Sequence, residues 1–417
     1  MSEPTTAPSA PTAPLPTLEP VTPGWTLPAS YYLDERVHAA ELATVFTDTW
    51  LFAGHACEVA EPGQYLLFEI GDDSVIVVRD ADGVLHAHHN VCRHRGSRIC
   101  DEPRGRVRAL MCPYHQWTYG LDGRLRGARL MGEGFAKDGV RLGAVAVREL
   151  AGLVFVSLAD APPSFDAMAA AVTAQLGHHR LDRARVAHRA SYSVRANWKT
   201  LVENNRECYH CRSNHPEFLE SNFEFGSHGD PRRNDTYDDT LAAAYARWRA
   251  DGLEPADVSF PGDEGFRVSR LPLRDGFVTE TMDGAPVAPP MGQVGGSPGS
   301  LRLITLPTMW AHANLDYAMT TRLTPVGADR TDVDVCFLVD ADASDDDVDL
   351  ERLTTVWTAT SEQDWALCEA NAAGIRSRGY LPGPLSPVVE ASVQHFVDWY
   401  LRRLTGSRTP RTSATSA

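Results

Sequence analysis

The chain predicts an α+β protein: an all-β unit comes first, followed by a larger unit that mixes strands with long helices. Three observations carry this. From Leu51 to Leu158, short strand-like runs alternate with turn signals. From Leu301 to Asp340, three more strand-like runs follow in succession. From Asp345 to Ala373, apolar residues recur at helix spacing over a long stretch. A length of 417 residues suits two domains, or one domain with a large insertion.

Residues 1–24 are rich in Pro, Thr and Ala. They lack the basic start and apolar stretch of a secretory signal, and read as a disordered arm. Trp25 to Trp50 carries a helical pattern through Val37, Leu42, Val45 and Phe46. Within the all-β unit, Tyr65–Ile70, Ser74–Arg79 and Leu153–Leu158 read as strands, and Asp82-Gly83 and Asp122-Gly123 as hairpin turns. Phe165–Leu176 predicts a helix, Val186–Val194 a strand and Asn197–Tyr209 a helix.

Asp230–Ser300 is rich in Gly, Pro and Asp with weak periodicity, and predicts long loops over a pocket. Strands are expected at Leu301–Pro307, Tyr317–Pro325 and Val333–Val339. The long helix that follows places Val348, Leu353, Val356, Trp357, Trp365 and Leu367 on or near a buried stripe. Ser392–Leu404 is a last helix, and residues 406–417 form a second disordered tail.

Hydrophobic residues make up 43% of the chain, enough for real cores. No run reaches the roughly 18 apolar residues that span a bilayer. A net charge of −16 argues against nucleic acid or an anionic membrane as partner, and is compatible with a small cationic substrate. Eight cysteines follow no regular framework, which predicts free thiols in a reducing cytoplasm.

Two short clusters stand out: Cys92-Arg93-His94 and, seventeen residues on, Cys112-Pro113-Tyr114-His115. Two thiolates and two imidazoles suit a tetrahedral zinc, or an iron–sulfur cluster with two His on one iron. A one-residue gap is tight for two ligands of the same zinc. It becomes natural if the Cys and His of each pair bind different irons. Gly96 and Pro113 are loop residues that let backbone approach such a group.

A second constellation runs Glu203-Asn-Asn-Arg-Glu207-Cys-Tyr-His210-Cys-Arg-Ser-Asn-His215-Pro216. Two His five apart do not share a helix face. Pro216 pushes His215 out of helical geometry, so the helix is expected to end just before it. His215 can then fold back toward His210. With one carboxylate this makes a 2-His-1-carboxylate set for non-heme Fe(II). Helix-end capping, or a zinc site with Cys208 and Cys211, would also account for these residues. Chemistry alone does not choose a third ligand among Glu362, Asp364 and Glu369.

These motifs resemble the oxygenase (alpha) component of the Rieske non-heme iron oxygenases, over about Leu27 to Tyr400. The carrying stretches are Asn90-Val-Cys92-Arg-His94-Arg-Gly with Cys112-Pro-Tyr-His115-Gln-Trp117, then Asn197-Trp-Lys with Glu207-x2-His210-x4-His215-Pro. Within the family the chain is most similar to the quaternary-ammonium oxygenases, through Trp50–His55, Gly71–Ile76, Glu203–Cys211 and Thr360–Glu369.

The resemblance implies a β-sandwich Rieske [2Fe-2S] domain over 51–160, preceded by a helical segment at 25–50 that packs on the catalytic domain. Beside it would lie a helix-grip catalytic domain over 161–405, with a large antiparallel sheet. Cys92, His94, Cys112 and His115 would hold the cluster. His210, His215 and Asp364 would hold the mononuclear Fe(II). A head-to-tail homotrimer is implied, with Glu207 linking His115 of one chain to His210 of the next.

The implied reaction uses O2 and electrons from NAD(P)H, delivered by a separate flavin/ferredoxin-type reductase. No dinucleotide fingerprint follows a strand in this chain. An N-methyl group of a glycine betaine-like cation would be hydroxylated and lost as formaldehyde. A quaternary ammonium is recognised by aromatic faces; Trp310, Tyr317, Phe266 and Trp365 are the candidates. A ring-hydroxylating dioxygenase subunit, an oxygenase acting on a specialised natural product, or a non-catalytic protein with zinc at both sites are the alternatives.

Overall fold

The computed structural model describes residues 16–224, 233–255, 257–260 and 264–406. The expected arm over 1–15 and tail over 407–417 lie outside the described residues. The remainder of that arm, 16–24, is not loose. Tyr31 Oη donates to Glu19 O at 3.0 Å, and Leu18 and Val21 pack on the main core.

The expected single helical segment is two short helices, α1 (Ala29–Leu33) and α2 (Glu35–Ala43). Asp34 breaks them and caps the second by accepting from Arg36 N at 2.8 Å. The first sheet follows: β1 (Leu51–His55), β2 (Gln64–Ile70), β3 (Asp73–Arg79), β4 (Leu85–His89) and β5 (Arg104–Arg106). Next come β6 (Leu110–Met111), β7 (Thr118–Tyr119), β8 (Leu125–Gly127), β9 (Ala144–Leu150) and β10 (Leu153–Ser157). Seven of these form one sheet in the order β1-β10-β9-β4-β3-β2-β5, and β6-β7-β8 form a small second one. The central β3 is buried from Ser74 to Val78, which suits its β-branched run.

Helix α3 (Asp166–Leu176) and strand β11 (Ala184–Val194) lead into the second unit. There α4 (Trp198–Asn205), α5 (Cys211–Asn214) and α6 (Pro216–Ser221) carry the second motif, and α7 (Asp235–Ala250) follows. The remaining strands are β12 (Asp257–Ser259), β13 (Phe266–Leu271), β14 (Ser300–Thr305), β15 (Met309–Ala313), β16 (Ala318–Gly327) and β17 (Arg330–Asp340). They make a second seven-stranded sheet, β11-β17-β16-β15-β14-β13-β12, antiparallel throughout. Helices α8 (Leu350–Ile375) and α9 (Ala391–Thr405) complete the unit.

Three corrections concern this unit. The helix expected over Asn197–Tyr209 ends at Asn205, so Glu207 sits in a turn rather than on a helix face. The stretch expected as loops, Asp230–Ser300, contains α7, β12 and β13. Asn234 caps α7, and Tyr237, Ala244 and Trp248 form its buried stripe. Strand β15, unforeseen, places Trp310 mid-strand.

The two sheets dock through polar contacts. His55 Nε2 lies 2.9 Å from Thr320 Oγ1, Arg322 Nη1 donates to Ala53 O at 3.0 Å, and Arg189 reaches Glu58 at 2.6 Å. Beneath the second motif, Lys199 and Glu41 form a fully buried ion pair. Trp198 Nε1 at 2.8 Å and Tyr400 Oη at 2.6 Å also donate to that carboxylate. The pair ties α2, α4 and α9 together and fixes the start of the helix that leads to Glu207.

Candidate metal centres and the adjoining cavity

The first centre is built on two tight loops, one after β4 and one between β6 and β7. In one, Cys92 N donates to Ser97 O at 2.8 Å and Gly96 N to Cys92 O at 2.9 Å, with Gly96 at φ +84°. In the other, Cys112 N donates to Trp117 O at 2.9 Å and Gln116 N to Cys112 O at 3.0 Å. Each loop thus sets a Cys at its base and a His at its tip.

Cys92 and Cys112 are buried, whereas His94 and His115 are half-exposed. The two Nδ1 atoms face each other at 3.2 Å. Sulfur donors inside and nitrogen donors outside split the set into two pairs, which two irons require and one zinc does not. Tyr119 Oη lies 3.3 Å from Cys92 Sγ, and Trp117 stacks on His94 at 4.7 Å.

The second centre gathers three side chains from two elements. His210 precedes α5 and His215 follows it; His215 has left helical geometry at φ −124°, ψ 65°, with Pro216 opening α6. Asp364 projects from α8. Its Oδ1 lies 3.3 Å from His210 Nε2 and 2.9 Å from His215 Nε2. His215 Nε2 and Asp364 Oδ1 are buried without hydrogen-bond partners.

The opposite ring nitrogens are occupied. His210 Nδ1 meets Glu207 Oε1 at 2.6 Å, and His215 Nδ1 meets Gln363 Oε1 at 2.8 Å. Orphaned donor atoms converging on one point, with the far nitrogens held in place, are the chemistry of a 2-His-1-carboxylate iron site. Burial opposes charge on His210, but Asp364 and Glu207 outweigh it and hold its pKa up at about 9. Glu362 is exposed and Glu369 pairs with Arg195 at 3.0 Å, so neither joins the His pair.

Cys208 and Cys211, expected as free thiols, are joined as a disulfide across a turn that brings their Cα atoms to 5.0 Å. The alternative zinc site using both thiolates is therefore not formed.

A cavity of about 570 Å³ opens onto Glu207, His210, His215 and Asp364. One face of the second sheet forms its floor. Cross-strand pairing lines up Arg267, Ile304, Trp310 and Thr321 in one row, and Ser269, Arg302, His312 and Met319 in the next. Trp357 and Trp365 of α8 and Phe218 of α6 close over them. Trp310 and Trp365 stand 6.5 Å apart, centroid to centroid, and Phe218 and Trp357 5.9 Å.

Two expected pocket aromatics are elsewhere. Phe266 alternates with Arg267 along β13, so it points to the opposite face, into the core with Val268 and Leu301. Tyr317 is fully buried behind the wall, where its Oη donates to Glu280 O at 2.6 Å and meets Trp357 Nε1 at 2.9 Å.

A family profile for the Rieske [2Fe-2S] domain matches residues 49–144, and one for the ring-hydroxylating alpha subunit catalytic domain matches 181–406. The chain belongs to the Rieske non-heme iron oxygenases. The glycine betaine monooxygenase oxygenase subunit of Chromohalobacter salexigens is 44% identical over 90% of this chain and 84% of its own length. That of Pseudomonas aeruginosa is 40% identical over 91% and 89%. A quaternary ammonium Rieske monooxygenase solved with L-carnitine superposes with a TM-score of 0.67 at 23% identity, over 91% of this chain and 96% of that one. Naphthalene 1,2-dioxygenase with bound indole reaches 0.66 at 20%, over 93% and 94%. At those identities the superpositions show a shared fold.

This Rieske oxygenase therefore works with a [2Fe-2S] cluster and a mononuclear iron, both of which its donor sets fit. As in its relatives, it is the oxygenase component of a system with a separate reductase. No described helix is long and apolar enough to cross a membrane. Sequence reasoning missed Gln363, Tyr119 and Trp357. Gln363 had a signal, since it directly precedes the carboxylate. Tyr119 had none, because its role depends on the return of β7 past the Cys92 loop.

Proposed function

We propose that this Rieske oxygenase removes an N-methyl group from a glycine betaine-like quaternary ammonium compound. The observation that carries the reading is the wall of Trp310, Trp357 and Trp365 on the same cavity as His210, His215 and Asp364. A quaternary nitrogen offers no hydrogen bond, and aromatic faces attract it. The relatives that cover most of the chain carry out betaine chemistry by name.

In this reading Cys92, His94, Cys112 and His115 hold the cluster, and His210, His215 and Asp364 hold the iron. When bound, these groups supply two-electron activation of O2. The protein's own part is positioning. Glu207 and Gln363 keep the Nδ1 protons of His210 and His215, leaving both Nε2 atoms for the metal. The Trp wall turns one methyl toward the iron and excludes water from it. O2, two electrons and two protons convert N–CH3 to N–CH2OH and water. The hydroxyl proton then leaves, the C–N bond breaks with its electron pair going to nitrogen, and formaldehyde and a tertiary amine are released.

Electron entry belongs to the same proposal. His115 lies at the exposed tip of its loop, rimmed by Val91, Met111 and Tyr114, each about half-exposed. Those apolar residues suit contact with a second copy in a head-to-tail homotrimer. There Glu207 would bridge His210 to His115 of the partner subunit. A need for electrons from NAD(P)H suits a cytoplasmic enzyme, with a flavin/ferredoxin-type reductase feeding the cluster. The cluster domain would end near residue 160, where the catalytic domain begins.

Formaldehyde release tests the reading. Purified enzyme with reductase, NADH and O2 is expected to yield formaldehyde with glycine betaine, proline betaine or carnitine. No formaldehyde from any quaternary ammonium compound overturns it.

A further inference from the structure

One end of the cavity carries charge that the Trp wall and the metal ligands do not explain. Arg206, Arg267 and Arg302 all line it, and among the described residues none makes an ion pair. Arg206 is only 6% exposed, yet its Nε and Nη1 have no partner; only Nη2 is used, on Asn205 Oδ1. The Nε of Arg267 is likewise buried and unpartnered. Arg302 is pinned by Nη2 to Asn222 Oδ1 at 2.7 Å.

The neighbouring carboxylates are committed or remote. Glu280 holds His312 at 3.1 Å and Asn314 at 3.0 Å, Glu224 faces Arg212, and Glu207 holds His210. Asp257 acts on Arg267 through space. Burial and the Arg267 charge lower Arg206 to about 9, the mark of like charges crowded out of water. Buried guanidiniums left in this state call for an anion.

We propose that Arg206 and Arg267 bind the carboxylate of a zwitterionic substrate, while its quaternary ammonium end lies on the Trp wall. Sheet register supports the pairing, because Arg267 and Trp310 share one cross-strand row with Ile304 between them. A planar guanidinium grips a carboxylate through two parallel hydrogen bonds. In a cavity of about 570 Å³, far larger than a small betaine, such an anchor decides which end faces the iron. The inference rests on the betaine reading above and adds the feature that separates betaines from choline-like cations.

The test is calorimetric binding to the oxidised, metal-loaded enzyme without reductant, so that nothing turns over. Glycine betaine is compared with choline, which has the same trimethylammonium head and no carboxylate. Wild type is expected to bind glycine betaine at least about tenfold more tightly than choline. Arg267→Met is expected to weaken glycine betaine roughly ten- to a hundredfold and to leave choline within about twofold. Arg267→Lys should fall between, since it keeps the charge and loses the fork. Arg206→Met repeats the test from the second guanidinium, and cluster absorbance and melting temperature report whether each variant is intact. Equal wild-type affinity for the two ligands overturns the anchor alone. So does parallel weakening of both ligands in intact Arg267→Lys and Arg206→Met. Failure of both ligands to bind wild type overturns the betaine reading with it.

Discussion

The Nδ1–H of His215 donates to Oε1 of Gln363 at 2.8 Å, and Gln363 is the residue before Asp364. One turn of α8 therefore supplies both a candidate metal ligand and the group that orients another. The Nε2 of Gln363 donates onward to Glu217 at 2.9 Å, so the amide cannot flip without losing a bond. Gln363→Leu should lower affinity for the mononuclear iron roughly 10–100-fold. Iron content measured against an unchanged Rieske absorbance checks this; full iron retention would refute the assigned role.

Glu207 holds His210 from the outer side. Glu207→Gln keeps the size of the side chain and removes its charge. Both metals should stay bound, while turnover falls by about two orders of magnitude or more. Rapid-mixing oxidation of the reduced cluster by O2 in the presence of substrate should slow by a similar factor. Normal cluster oxidation with slow product formation would move the defect elsewhere.

Tyr119 Oη shares a 3.3 Å hydrogen bond with the Sγ of Cys92, a candidate cluster ligand. Such bonds stabilise the reduced, more negative form. Tyr119→Phe removes one hydrogen bond of about 0.5–1.5 kcal/mol, and the potential should drop by roughly 20–65 mV. Redox titration of the cluster signal reads this directly, and an unchanged potential would exclude the contact as a tuning group.

The buried Lys199–Glu41 pair predicts a non-additive result. Lys199→Met leaves the carboxylate uncompensated and should destabilise by about 3–5 kcal/mol. Adding Glu41→Gln should recover a good part of that. Denaturant unfolding of the two single variants and the double variant measures the coupling.

Glu203 gives a pH dependence. Burial raises its carboxyl to about 7, although Tyr32 Oη donates to it at 2.8 Å. The folded chain thus binds this proton more tightly than the unfolded chain. The resulting stability is complete below the ordinary carboxylate range and is lost as pH rises through about 7. With partial exposure allowed for, the loss is on the order of 2 kcal/mol by pH 8. Glu203→Gln should remove it and melt higher than wild type at pH 8.

The candidate metal ligands stood out in the sequence because short-range spacing groups them: each loop carries its own Cys and His, and Pro216 marks the break beside His215. Asp364 was not legible from chemistry, since three carboxylates on one helix look alike until the fold turns one inward. Helix α7 was overlooked although Asn234 and the Tyr237–Ala244–Trp248 stripe announce it, because Gly and Pro further on dominated the composition. The expectation of Phe266 at the pocket failed for a simpler reason. Phe266 and its neighbour Arg267 point to opposite faces of β13, and only pairing with β14 reveals which parity faces the cavity.

That parity has a consequence for how such enzymes diversify. Along β13, β14 and β15 the side chains that face the cavity alternate with side chains that face the core behind the sheet. Positions 267, 302, 304, 310 and 312 line the cavity, whereas 266, 268 and 301 pack into the core behind the sheet. A library restricted to the cavity-facing parity should hold far more folded, iron-loaded variants than one of equal size drawn from the other parity.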